Sequence, residues 1–146
     1  MRRGLHLAAA ALIAAPPALA AGMADRVEIC LQVSKGFGRA EMLARCLGRE
    51  TRACLAATDS APAIALPACL EAEYRGWQEL VDRLWAEAED LPGAEAEQLD
   101  WLARREAECA APARLRVDPE LRNAILWRCR RDLTAGRAVD LFLTLS

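Results

Sequence analysis

The 146-residue sequence carries a single histidine, His6, and its position removes even that one from the working chain. His6 lies in a segment that starts Met1-Arg2-Arg3-Gly4, continues through the apolar run Leu5 to Ala15 and leaves through Pro16-Pro17-Ala18-Leu19-Ala20. A positive start, a short apolar core and an Ala-x-Ala exit describe a secretory signal peptide. Residues 1–20 are expected to be cleaved after Ala20, with Ala24 as second choice because Gly22 and Met23 precede it. A mature chain without histidine has no Ser-His-Asp or Cys-His nucleophile and lacks the commonest zinc ligand. Lys35, Tyr74 and a thin set of Ser and Thr are the remaining nucleophiles. The expectation is a non-enzyme with no catalytic residues, no metal and no cofactor.

Long hydrophobic runs are also missing. The leader's apolar core falls short of the roughly 20 residues that span a bilayer, and no other stretch is long and uncharged enough. A lipid anchor needs a cysteine directly after the small residues, where Ala21, Gly22 and Met23 stand instead. Basic excess is lacking as well: without Arg2 and Arg3 the 19 basic residues fall to 17 against 21 acidic ones, a net charge of −4. Nucleic-acid binding draws on Lys and Arg releasing counterions from phosphates, so no nucleic-acid partner is expected. The product reads as periplasmic or secreted, with no membrane span or lipid anchor.

Val, Ile, Thr and aromatic residues are sparse, and alternating β-branched runs are absent, which leaves strands without support. Ala, Leu, Glu and Arg dominate, so the fold class is all-α: a small disulfide-stapled bundle of about five helices built from antiparallel hairpins. A first helix covers about 25–34 and stops at Gly36-Phe37-Gly38. A second starts near Arg39, carries Leu43, Cys46, Leu47, Glu50 and Cys54 at helical spacing, and ends at Thr58-Asp59-Ser60 with Pro62 and Pro67 beyond. In the third, Leu70, Tyr74, Trp77, Val81, Leu84 and Ala88 step by three and four residues along one face, up to Pro92-Gly93. The fourth covers about Ala94 to Ala110. The fifth opens at Asp118-Pro119-Glu120, an N-cap with proline at the first helical position, and Gly136 is its weak point. Residues 21–68 form a Cys-rich N-terminal hairpin and 69–146 a second helical unit, the two packing as one.

Six cysteines, all after the leader, read as a disulfide framework. No Cys-x-x-Cys is present, and the gaps are too long for zinc knuckles. In an antiparallel hairpin, residues equally far from the turn face each other. That favours Cys30 with Cys46 about Gly38, Cys54 with Cys69 about Ala61-Pro62, and Cys109 with Cys129 about Pro119. Within the first four, pairing of 30 with 69, 46 with 54, or 30 with 54 stays open.

Gln98, Trp101, Arg105 and Cys109 fall within an arc of about 80° on one helix. Cys129 is followed by Thr134, Arg137 and Leu141. These spacings resemble the lysozyme inhibitor LprI-like N-terminal domain family, with its Gln-x-x-Trp-x-x-x-Arg-x-x-x-Cys helix and its Cys-x4-Thr-x2-Arg-x3-Leu helix. Cys69-Leu70-Glu71-Ala72-Glu73 matches the family's Cys-Leu-x-x-Glu start. Gln78, Val81, Asp82 and Trp85 stand where the family has Asp, Leu, Asn and Tyr. The resemblance covers about Cys69 to Leu141 and implies an exported all-α domain that inhibits lysozyme.

Structural roles are expected for Trp101 and Trp77 in the core, and for Gln98 and Thr134 inside the bundle. Arg105 needs an anionic partner on its buried stripe, and Glu73 is the candidate. Arg137 is expected to pair with Asp140, Asp132 or a helix-end carbonyl. For a protein partner, possibly lysozyme, the candidate contacts are Glu87, Glu89, Asp90, Glu95 and Glu97 around Pro92-Gly93, with Arg114 and Arg116 in the loop from Ala111 to Val117. The acids would steer a basic lysozyme, whereas a group entering its carboxylate-lined cleft would have to be neutral or basic. The alternative is an envelope assembly module with no effect on lysozyme.

Overall fold

The computed structural model describes residues 22–115 and 117–146; the expected leader and Arg116 lie outside them. Among the described residues six α-helices follow in order: α1 Met23–Val33, α2 Arg39–Cys46, α3 Arg49–Ala57, α4 Pro62–Ala88, α5 Ala94–Ala110 and α6 Pro119–Leu145. A 3-10 turn, Ala111–Arg114, links the last two, and no strand occurs among the described residues. The fold is all-α and carries three disulfides, Cys30–Cys46, Cys54–Cys69 and Cys109–Cys129. They close loops of 16, 15 and 20 residues, each of which contributes about 3 kcal/mol in the chain-entropy model.

The two 27-residue helices, α4 and α6, form the axis. They run in the same direction, since Leu66 shares a pocket with Leu121 and Ala124 near the start of both helices, Glu73 meets Arg131 further along, and Arg105 reaches both Gln78 and Thr134 beyond that. Tyr74 and Trp127 pack between the two with ring centroids 5.4 Å apart. α5 returns antiparallel to both: Gln98 meets Arg137 near its start, and Cys109 is bonded to Cys129 near its end. The apolar stripe of α4 supplies the core. Leu70, Trp77, Val81, Leu84 and Ala88 are buried, and Tyr74 is half-buried. Val27 and Leu31 of α1, Met42 of α2, and Ala135, Ala138, Val139 and Phe142 of α6 are buried in the same core. Each buried large side chain of this kind stabilises by about 1.5–3 kcal/mol relative to exposure. Gly76 is where α1 meets α4 most closely, because a Cβ there would sit 2.2 Å from Met23 Cγ.

Three boundaries depart from the sequence expectation. The second helix is broken: α2 ends at Cys46, Leu47 is extended, and Gly48, at φ 78°, turns the chain into α3. The turn aims the first amides of α3 at Glu73, which accepts a hydrogen bond from the Gly48 N–H at 2.6 Å. The third helix begins earlier, with Pro62 at its first turn and Pro67 tolerated inside it, where the ring removes one backbone donor. Gly136 does not weaken α6, which continues to Leu145 with Gly136 buried beside the Arg39 guanidinium.

At the start of α6 the Asp118 carboxylate accepts from the Leu121 N–H at 3.1 Å, and this bond holds its pKa below the usual carboxylate value. A carboxyl whose folded pKa is depressed stabilises above its unfolded pKa, and that contribution disappears as pH falls through the folded value. Thermal melts of Asp118→Ala should therefore show a lower Tm than the parent at neutral pH and a gap that closes in strong acid. Asp118→Asn, which keeps an acceptor but not a charge, should lower the neutral-pH Tm less, and its smaller gap from the parent should likewise shrink in strong acid as the parent's carboxylate is protonated.

Candidate functional site

α4 and α6 meet through a buried polar layer. Glu73 is fully buried on α4. Its Oε1 accepts from Gly48 N–H at 2.6 Å and Trp77 Nε1 at 3.2 Å, while Oε2 accepts from Thr51 N–H at 2.9 Å and from the Thr51 hydroxyl. The Arg131 guanidinium of α6, itself buried, lies 3.7 Å from Oε2 and also donates to Thr51 Oγ1. The charge is thus met by an arginine and by the positive N-terminal end of α3.

Arg105 does not pair with Glu73. The donors around Glu73 already come from α3, α4 and α6, so the α5 guanidinium lies further along α4. Its Nη1 donates to Gln78 Oε1 at 2.6 Å and approaches Thr134 Oγ1 at 3.5 Å, and its Nε donates to Glu106 at 3.2 Å. It also lies over the Trp101 ring, 4.7 Å from the centroid. Gln78 is one of the positions where the family pattern has Asp, so the buried guanidinium meets an amide oxygen here. Trp101 is buried and donates through Nε1 to the Leu133 carbonyl at 3.3 Å.

Arg137 likewise has partners other than those expected. Its Nε donates to Gln98 Oε1 at 2.9 Å, and its Nη1 lies 3.7 Å from Glu97. Asp140 instead binds Arg39 of α2, with Nε to Oδ1 at 2.6 Å, which holds the Arg39 pKa above its usual value. Asp132 binds Arg131 at 2.7 Å. Thr134 and Leu141 are buried on the inward face of α6. Arg131 and Thr51 were not among the residues singled out from sequence. The three-residue step from Arg131 to Thr134 was the available signal for the first.

Between α2, α5 and α6 these side chains leave an open groove of about 470 Å³, lined by Leu43, Trp101 and the guanidiniums of Arg39, Arg104, Arg105 and Arg137. All four arginines are held by side-chain carboxylates or amides: Arg39 by Asp140, Arg104 by Asp100, Arg105 by Gln78 and Glu106, Arg137 by Gln98 and Glu97. The groove offers shape and fixed polar groups, with no nucleophile and base in contact. At the α4–α5 turn, Glu87, Glu89, Asp90 and Glu95 are exposed and make no ion pair among the described residues, whereas Glu97 is joined to Arg137. Arg114 is exposed at the far end of α5. Among the described residues no cluster of His, Cys, Asp or Glu is arranged to hold a metal, and no helix is long and apolar enough to cross a membrane.

The family model for lysozyme inhibitor LprI matches residues 54–141, more than half of the chain. This protein belongs to the LprI family. The LprI match begins at Cys54, 15 residues before Cys69, and so takes in the Cys54–Cys69 bridge and the α4, α5 and α6 residues of the buried layer, while Gly48 and Thr51, which donate to Glu73, lie before it. Cys30 and Cys46 lie outside the LprI match. No curated protein and no solved structure matches the chain.

Breaking one side of the Glu73 to Arg131 contact should be costly, because the other charge stays buried without its partner. Chemical denaturation of Arg131→Met should show a loss of about 3 kcal/mol or more. Arg104→Met, which removes an exposed i,i+4 pair, should cost under about 0.5 kcal/mol. Equal small losses in both would contradict the assignment of Arg131 as a buried counter-ion.

Proposed function

We propose that this protein is an exported lysozyme inhibitor that acts by binding and not by catalysis. Membership of the LprI family over 54–141 carries the reading. The export leader at 1–20, a periplasmic or secreted location, and the division into 21–68 and 69–146 belong to the same proposal. Three disulfides suit an oxidising compartment.

The exposed carboxylates at the α4–α5 turn support a basic partner. Four acids that make no ion pair among the described residues, at the tip of a hairpin, raise the encounter rate with a cationic surface, an effect that salt screens. Arg114 lies at the other end of α5, about 25 Å away for a 17-residue helix. A lysozyme that touches both must therefore lie along α5, with its basic surface toward the tip and its carboxylate-lined cleft toward the arginine end.

Turbidity assays with the oxidised protein against c-type and g-type lysozymes test this. The protein should inhibit at least one type, and reversal of Glu87, Glu89, Glu95 and Glu97 to lysine should weaken inhibition about tenfold at low salt, with a smaller difference at moderate salt. Unchanged potency and salt dependence would remove the steering role. No inhibition of either type by folded protein would replace the proposal with the envelope assembly module.

A further inference from the structure

α1 presents an apolar row on the face turned away from α4. Ile29 and Val33, one turn apart, are 55% and 78% exposed, and Phe37 in the following turn is 38% exposed. The rim of this row carries three arginines and is net positive. Arg45 stacks on Phe37, 3.9 Å from the ring centroid, and is paired with Glu41 at 3.0 Å, and Arg49 lies with Nη1 3.4 Å from Cys30 Sγ. Arg26 is on the same rim and is paired with Glu50. Ile29, Val33, the three arginines and Glu50 line a shallow groove of about 570 Å³ beside Cys30.

The groove and the acidic tip lie at the same end of the molecule. α1 runs alongside α4 in the same direction, since Met23 packs at Gly76 and Arg83 pairs with both Asp25 and Glu28. Val33 and Phe37 therefore lie toward the end of α4 that leads into the turn at 89–93. That turn carries the complementary pattern. Leu91 is 41% exposed and is flanked by Glu89, Asp90 and Glu95, none of them in an ion pair among the described residues. An apolar knob surrounded by carboxylates matches an apolar groove rimmed by arginines in both polarity and charge.

We propose that the groove is occupied by the α4–α5 tip of a second copy of this chain. Leu91 packs on Ile29 and Val33, and Glu89 and Asp90 meet Arg45 and Arg49. With both features at one end, a two-fold axis lets each tip fill the other copy's groove. The interface then closes as a dimer and does not propagate as an open filament. The proposal rests on the α1 face and the tip alone; because the tip also carries the acids proposed to meet lysozyme, a second copy and lysozyme would compete for it.

Sedimentation velocity on the full oxidised protein, over a concentration series, tests it. The parent should show a monomer–dimer equilibrium whose dissociation constant rises between about 0.05 M and about 0.5 M salt, as the screening length shrinks. Val33→Asp should be monomeric. Arg45→Glu and Glu89→Arg should each weaken the dimer about tenfold, and the two combined should restore it, because the swapped pair is again of opposite charge. All these side chains are exposed, and circular dichroism checks that each variant keeps the parent fold. A parent that stays monomeric throughout, larger species growing with concentration, or a double variant no tighter than the single ones would overturn the proposal.

Discussion

A carboxylate with no solvent access has to be satisfied from within the fold, and Glu73 sets that requirement for this bundle. Its two oxygens accept from the amides of Gly48 and Thr51, the Thr51 hydroxyl and the Trp77 indole, with Arg131 as counter-ion. Each hydrogen bond to a charged group contributes on the order of 1.5–3 kcal/mol against the cost of burying the charge. The need for donors accounts for several features at once. α3 starts where it does because its free amides face Glu73, and Gly48 takes a positive φ to bring them there. The Cys54–Cys69 bridge then holds α3 against α4, one helical turn from the carboxylate.

The same constraint sets the position of α5. With Arg131 at Glu73, Arg105 is held by Gln78, Thr134 and Glu106, and Arg137 by Gln98 and Glu97. α5 is thus joined to the α4–α6 pair by Trp101, two arginines and the Cys109–Cys129 bridge on its inner face. Its outer face remains exposed, with Leu99 60% accessible and Arg104 and Asp100 paired to each other. A helix fixed on one side and open on the other, acidic at its start and followed by an arginine at its end, is the rigid surface that the proposed inhibitor would present to its partner. Such a surface needs little ordering on binding.

What could be read from the sequence was what local chemistry decides. Pro92-Gly93 precedes α5 and Pro112 follows it, Asp118-Pro119 starts α6, and the unbroken stripe of α4 is recognisable from its spacing alone. Cysteines equally distant from each turn are the ones joined in the structure. The break at Leu47-Gly48 was hidden because Leu43, Cys46, Leu47, Glu50 and Cys54 keep helical spacing straight through it. The break is decided by Glu73, 25 residues away. The choice of Arg131 over Arg105 as its counter-ion was hidden for a similar reason. Both lie on inward faces, and which one reaches Glu73 depends on the axial offset of three helices, which no local pattern encodes.

The most direct measurement of the account is amide hydrogen exchange of the oxidised protein with and without saturating lysozyme. Binding along the outer face of α5 predicts slower exchange from the tip near Glu87 to the turn carrying Arg114, with exchange in α3 unchanged. Protection confined to α3, or no change with lysozyme in excess, would contradict it.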